Sequence, residues 1–133
     1  MNFLSKYKFF FYFFNLALIF LYLFPGSLLG CFFYSNCELQ PQITPDFIIS
    51  TFIISTNHLY AFFVLSVIGF LTFKKINHLN FLITYLILLS TILEFMHLII
   101  RERNFEFSDL FGNLTGVVIA IIINFFFRKF QNV

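Results

Sequence analysis

The chain has 133 residues, 60% of them hydrophobic and only 11% charged, with 25 phenylalanines and no tryptophan; a soluble domain carries about 25% charged residues. Its mean hydropathy of +0.92 implies more apolar surface than a soluble domain of this length can bury. A soluble enzyme, a disordered chain and a conventional nucleic-acid binder are thereby excluded, and the net charge of +2 matters less for its size than for where the charges sit.

The first uncharged stretch, Phe9 to Leu29, is predicted as a membrane helix, with Lys6 and Lys8 before it and Pro25-Gly26 at its outer end. A secretory signal is the competing reading, because Leu28-Leu29-Gly30-Cys31 faintly resembles a bacterial lipoprotein cleavage site. The apolar run exceeds the roughly 7 to 15 residues of a signal core, and Leu29 fits poorly before the small residue, so the helix is expected to be retained. From Gly30 to about Ile54 an irregular loop is expected, broken by Pro41 and Pro45. It holds both cysteines, Cys31 and Cys37, read either as a disulfide in an oxidising compartment or as two thiols.

The stretch from Phe47 to Phe73 is also uncharged, but a helix over all of it would be too long for a bilayer core of about 30 Å without tilt. The second helix is therefore set at 55–73. Lys74 and Lys75 follow it. The third, Phe81 to Ile100 (81–100), contains one charge, Glu94, and the fourth covers 109–127, with Arg128 and Lys129 behind it. A β-barrel would need segments of about 10 residues with alternating polarity, a pattern not found here, and helices are the other way to satisfy backbone polar groups in lipid. The predicted fold is all-α, one domain over 1–133 forming a four-transmembrane-helix bundle. Six of the eight basic residues flank three segment ends, which places both termini in the cytoplasm and turns Gly30–Ile54 and Arg101–Ser108 outward.

Ionisable residues inside a membrane are costly, and each is a functional candidate. Ser90, Glu94, His97 and Arg101 are spaced by four, three and four, so a helix would put them on one face. Asp109, Gly112, Asn113, Gly116 and Ala120 form a stripe on the fourth helix, and Asn57 and His58 stand near the outer end of the second. Counted from the inner ends at about 1.5 Å per residue, His58, Glu94, His97, Asn113 and Asp109 all lie roughly 20 to 28 Å up. A polar pocket opening outward is expected from helices two, three and four, with Arg101 and Arg103 above it. The plainer readings are that Gly112-x-x-x-Gly116 is a packing motif, Asn113 interhelical glue, Glu94 with His97 a satisfied pair, and the Arg101–Glu106 segment a solvated turn.

Arg103-Asn104-Phe105-Glu106-Phe107-Ser108-Asp109-Leu110-Phe111-Gly112-Asn113-Leu114-Thr115-Gly116 resembles the VanZ-like family of small membrane proteins, with its Arg-x-Phe, then Asp, then Asn-x-x-Gly signature at the start of the last helix. Leu93-Glu94-Phe95-Met96-His97 is similar to the family's Glu-x-x-Gln position, with His97 in place of Gln. Asn57 to Leu65 matches the Asp-Lys-x-x-His-x-x-x-Phe region in part, without the acidic-basic pair. The resemblance spans about Thr56 to Phe127 and implies a multi-pass protein of the bacterial cytoplasmic membrane and an association with glycopeptide (teicoplanin) resistance.

The leading functional expectation is a site that binds or modifies an envelope lipid or a lipid-linked cell-wall intermediate. His58, Glu94, His97 and Asp109 are its candidate catalytic residues, and Arg101, Arg103 and Asn113 its binding residues, since Arg matches anionic groups geometrically. The alternatives are a non-catalytic scaffold that alters envelope properties and, less favoured by the few polar groups in the inner halves (Thr72, Thr84, Tyr85), a small transporter. His58, Glu94 and His97 are zinc-ligand types, but their spacing is not diagnostic; neither a metal nor a cofactor is expected. The expected partners are the bilayer and an anionic lipid, with no nucleic acid.

Overall fold

The computed structural model describes residues 3–131; the extreme ends, and the side chain of Lys6 counted above among the inner charges, lie outside the described residues. The chain is 69% helical. The elements are α1 (Phe3–Leu23), α2 (Leu28–Tyr34), β1 (Phe47–Ile49), β2 (Phe52–Ile54), α3 (Thr56–Thr72), α4 (Ile76–Met96) and α5 (Phe107–Gln131). Among the described residues, two helices are long and apolar enough to cross a membrane, His78–Met96 within α4 and Phe107–Phe130 within α5. Tyr7–Leu23 and Leu28–Tyr34, bent by 84°, make a third if taken as one span, and α3 is apolar but shorter.

Side-chain contacts fix the helix directions. On α5, a Cβ added to Gly112 would lie 2.4 Å from the Ser55 carbonyl oxygen, and one added to Gly116 would lie 2.4 Å from that of Leu59. Both glycines advance along α5 as their partners advance along α3, so these two helices run parallel and in backbone contact. Asn15 meets Tyr85, with its Nδ2 2.6 Å from the Tyr85 hydroxyl, and Tyr22 meets His97, so α1 and α4 are also parallel. The Thr72 hydroxyl donates to the Tyr7 carbonyl at 3.2 Å, which sets α1 antiparallel to α3. The result is an up-down-up-down packing around Phe62, Leu65, Leu86, Val117 and Ala120, all buried. Outward-facing phenylalanines such as Phe9, Phe13, Phe81 and Phe125 cover the exterior.

Three segments depart from the expected boundaries. The first helix stops at Leu23 rather than Leu29. Pro25 has no N–H and its ring excludes the carbonyl four residues back, that of Leu21, so the helix cannot continue; Gly26, at φ +75°, then turns the chain. Secondly, the loop after Gly30 is more ordered than expected. Ser27 caps α2 by accepting the Gly30 N–H at 3.0 Å, Cys31 and Cys37 are disulfide-bonded, and β1 pairs antiparallel with β2 in the register Phe47↔Ile54, Ile48↔Ile53, Ile49↔Phe52. β-branched and aromatic residues favour strands, and Ser50, at φ +57°, makes the turn. Asp46 Oδ1 accepts the Thr56 N–H at 3.0 Å, so the loop itself caps α3, whose N-cap residue Ser55 makes no side-chain cap. Thirdly, α4 ends at Met96 instead of Ile100. The N–H groups of His97, Leu98 and Ile99 bond three residues back, a tightened 3₁₀-like turn, and Glu102 at φ +63° reverses the chain.

Candidate functional site

Five of the expected site residues converge near the ends of the helices away from Lys74 and Arg128. His58 from α3, Glu94 from α4 and Asp109 with Asn113 from α5 meet around one imidazole. His58 Nε2 lies 3.3 Å from Asp109 Oδ2, and Nδ1 lies 4.0 Å from Glu94 Oε2 and 3.2 Å from Asn113 Oδ1. His97, just past the end of α4, has its Nδ1 3.2 Å from Glu94 Oε1. His58, Glu94, His97 and Asn113 are buried, and Asp109 is partly buried.

Helix α1 also enters the site, which was expected from the other three helices alone. The Tyr22 hydroxyl donates to Asn113 Oδ1 at 2.5 Å and lies 2.8 Å from His58 Nδ1. Its ring stacks on His97, with centroids 5.7 Å apart. In sequence Tyr22 is one hydroxyl within Leu-Ile-Phe-Leu-Tyr-Leu-Phe, where it reads as an ordinary interfacial aromatic. The one signal available was that a buried tyrosine hydroxyl needs a partner.

The hydrogen bonds determine the imidazole tautomers. Asn113 Nδ2 donates to the Ser90 carbonyl at 3.3 Å, which fixes the amide with Oδ1 toward Tyr22. Tyr22 then gives its proton to that oxygen, so His58 Nδ1–H is the donor in its contact with Tyr22. His58 Nε2, facing Asp109, is left to carry a lone pair or a second proton. His97 Nε2–H donates to the Tyr22 carbonyl at 3.1 Å, and one proton is shared between its Nδ1 and Glu94 Oε1. The backbone N–H of Glu106 also donates to Glu94 Oε1, at 3.2 Å. Glu94 Oε2 is buried and makes no hydrogen bond.

The arginines do not act as a pair. Arg103 reaches across to α1, where its Nε donates to the Phe24 carbonyl at 3.2 Å and its Nη2 to the Leu21 carbonyl at 3.0 Å. The Leu21 oxygen is the one that Pro25 deprives of a helical partner, so Arg103 caps the broken helix end. Burial lowers the Arg103 pKa from its ordinary value, while Asp109 and Glu94 act in the opposite sense. Arg101 does not share the Glu94–His97 face, because α4 has ended before it; it is exposed in the turn beyond. Gly112 and Gly116 serve the α3–α5 contact, as their spacing indicated. Asn57 holds the outer loop instead of joining the cluster, donating to the Pro41 carbonyl at 2.7 Å and accepting the Ile43 N–H at 3.0 Å.

Above the cluster lies an open polar cavity of about 360 Å³ whose walls include Asp46, His97, Glu102, Arg103, Glu106 and Asp109. A smaller hollow of about 140 Å³, lined by Tyr22, Ser27, Asn57, His58 and Arg103, approaches from the α1 side. A further hollow, about 510 Å³, lies at the opposite end of α3 and α5, among Phe70, Lys74, Phe127 and Arg128, and shares no residue with the cluster. Two carboxylates and two imidazoles within hydrogen-bonding range make proton transfer the chemistry the arrangement can support. Comparison of the chain with protein-family models, with curated proteins and with solved structures gave no match.

Proposed function

We propose that this chain is a multi-pass protein of a bacterial cytoplasmic membrane, of the VanZ-like kind, whose outward-facing polar site binds a lipid headgroup or a lipid-linked cell-wall intermediate and performs acid–base chemistry on it. In this reading α1, α3, α4 and α5 are four passes with both termini inside. At 17 residues α3 is about 26 Å long, short of a core of about 30 Å, and the apolar hairpin β1–β2 continues it to the outer interface. The 84° bend lays α2, with exposed Phe32 and Phe33, along the same interface, a placement typical of amphipathic elements at a bilayer surface. Lys8, Lys74, Lys75, Arg128 and Lys129 then mark the inner side.

The observation that carries the proposal is the buried His58–Glu94–Asp109–His97 group beneath an open polar cavity. A bundle held together by packing alone has no need of four ionisable side chains at one depth. Glu94 and the two histidines are the acid–base groups, Asn113 and Tyr22 position His58, and the cavity receives the headgroup. Any link to glycopeptide susceptibility belongs to this proposal. Replacing Glu94 by Gln, with protein levels matched, is expected to shift teicoplanin susceptibility or the envelope lipid profile toward that of a deletion strain. Wild-type behaviour in both would contradict the proposal.

A second reading has its own support. Arg103 caps backbone carbonyls and Gly112 and Gly116 seat α5 on α3, so part of the polar and small-residue pattern is architecture. A purely structural cluster predicts that Glu94→Gln lowers protein abundance, whereas an acid–base site predicts abundant, folded and inactive protein.

A further inference from the structure

Three side chains of the cluster bring atoms of metal-ligand type close together. One ligating atom each from His58, Glu94 and Asp109 lies within 4.8 Å of the others. In neutral His58, with its proton on Nδ1, the Nε2 lone pair faces Asp109 Oδ2, 3.3 Å away. Glu94 Oε2, on a side chain that is 0% exposed, has no hydrogen-bond partner and lies 4.0 Å from the other ring nitrogen, Nδ1. Ligands about 2.1 Å from a tetrahedral zinc stand about 3.4 Å apart. The His58–Asp109 separation already matches that value, and Glu94, which has one ligand atom within 4.8 Å of the other two, would have to move toward Nε2 to complete the set.

We propose that His58, Glu94 and Asp109 bind one divalent transition metal of the zinc or manganese type. Two carboxylates are neutralised by one dication, which removes the cost of burying them. One imidazole with two carboxylates suits zinc or manganese better than the all-oxygen sites of calcium and magnesium. The tautomer is the one a metal needs: Nδ1–H is held by Tyr22 and Asn113 while Nε2 is free to ligate. Asp109 also lines the open cavity, which provides an entry path. Three protein donors leave coordination positions open toward that cavity, the arrangement of reactive metal centres rather than structural ones. The inference stands on the three side chains and does not require the headgroup reading; a metal held there would take His58 and Glu94 out of the acid–base role and leave His97 free for it.

The test uses the full chain in detergent, purified on a tag without histidines, stripped with chelator and dialysed against micromolar Zn²⁺ or Mn²⁺. Bound metal is counted by mass spectrometry. About one equivalent per chain is expected for wild type, and Glu94→Gln and Asp109→Asn are expected to weaken binding by about tenfold or more. Glu38→Gln, on the cavity wall away from the three donors, should bind as wild type does. Because the variants could unfold, the wild-type melting midpoint is followed as well, and it should rise with added metal. A wild-type chain that holds no stoichiometric metal and shows no shift would overturn the proposal and leave a protonated His58 between the carboxylates. Variants that titrate like wild type would overturn it equally. Lipid binding is not measured in this experiment, so its failure leaves the headgroup reading to be judged on its own test.

Discussion

At the scale of single residues, Tyr22 and Arg103 do most to determine how the site is held. The Tyr22 hydroxyl bridges Asn113 and His58 at full burial. Tyr22→Phe keeps the ring stack on His97 and removes only that bridge, leaving His58 Nδ1 and Asn113 Oδ1 with their 3.2 Å contact to each other, at a cost of about 1 kcal/mol. Thermal unfolding in detergent should register the loss, and an unchanged midpoint would show that the hydroxyl is idle. Arg103→Lys should not restore what Arg103→Ala removes, because the two carbonyls of α1 are gripped by a planar fork that a single ammonium cannot reproduce. Equal stability of the Lys variant and wild type would refute that role. His58, Glu94, His97, Asp109 and Asn113 were legible in the sequence because charge and amide groups stand out in an apolar run and helical rise gives their depth. Tyr22 was not, since one hydroxyl among phenylalanines carries no depth information until a partner is known. Arg101 was misassigned to the site because its spacing from His97 assumes a helix that stops at Met96.

At the scale of elements, the closest seam is α3 against α5. Alanine at Gly112 or Gly116 would place a methyl group 2.4 Å from a carbonyl oxygen on α3, too close for any rotamer to relieve. The helices must separate, and a loss of about 1–3 kcal/mol is expected from such overpacking. Measured unfolding of Gly116→Ala that matches wild type would mean that α5 seats differently. This seam was legible because two glycines one helical turn apart are a known packing device. The break after Leu23 was only half legible. Pro25-Gly26 signalled an end, but the short helix and the hairpin beyond it depend on Ser27, Asp46 and the Cys31–Cys37 bond, side-chain interactions that hydropathy along the chain does not reveal.

At the scale of the whole molecule, sorting of charge and placement of the site form one argument. The basic residues Lys74, Lys75, Arg128 and Lys129 gather at one end of the bundle, where Arg128 donates to the Lys74 carbonyl at 2.6 Å. The cavity and all six acidic residues belong to the other half. In the proposed orientation the cavity faces outward. Single cysteines at Asn104, on the cavity wall, and at Lys75, between α3 and α4, can be probed in intact cells with a membrane-impermeant maleimide, the native pair being tied up as a disulfide. Asn104→Cys is expected to label from outside and Lys75→Cys only after the membrane is opened. Labelling of Lys75→Cys in intact cells, with Asn104→Cys protected, would contradict an outward-facing site.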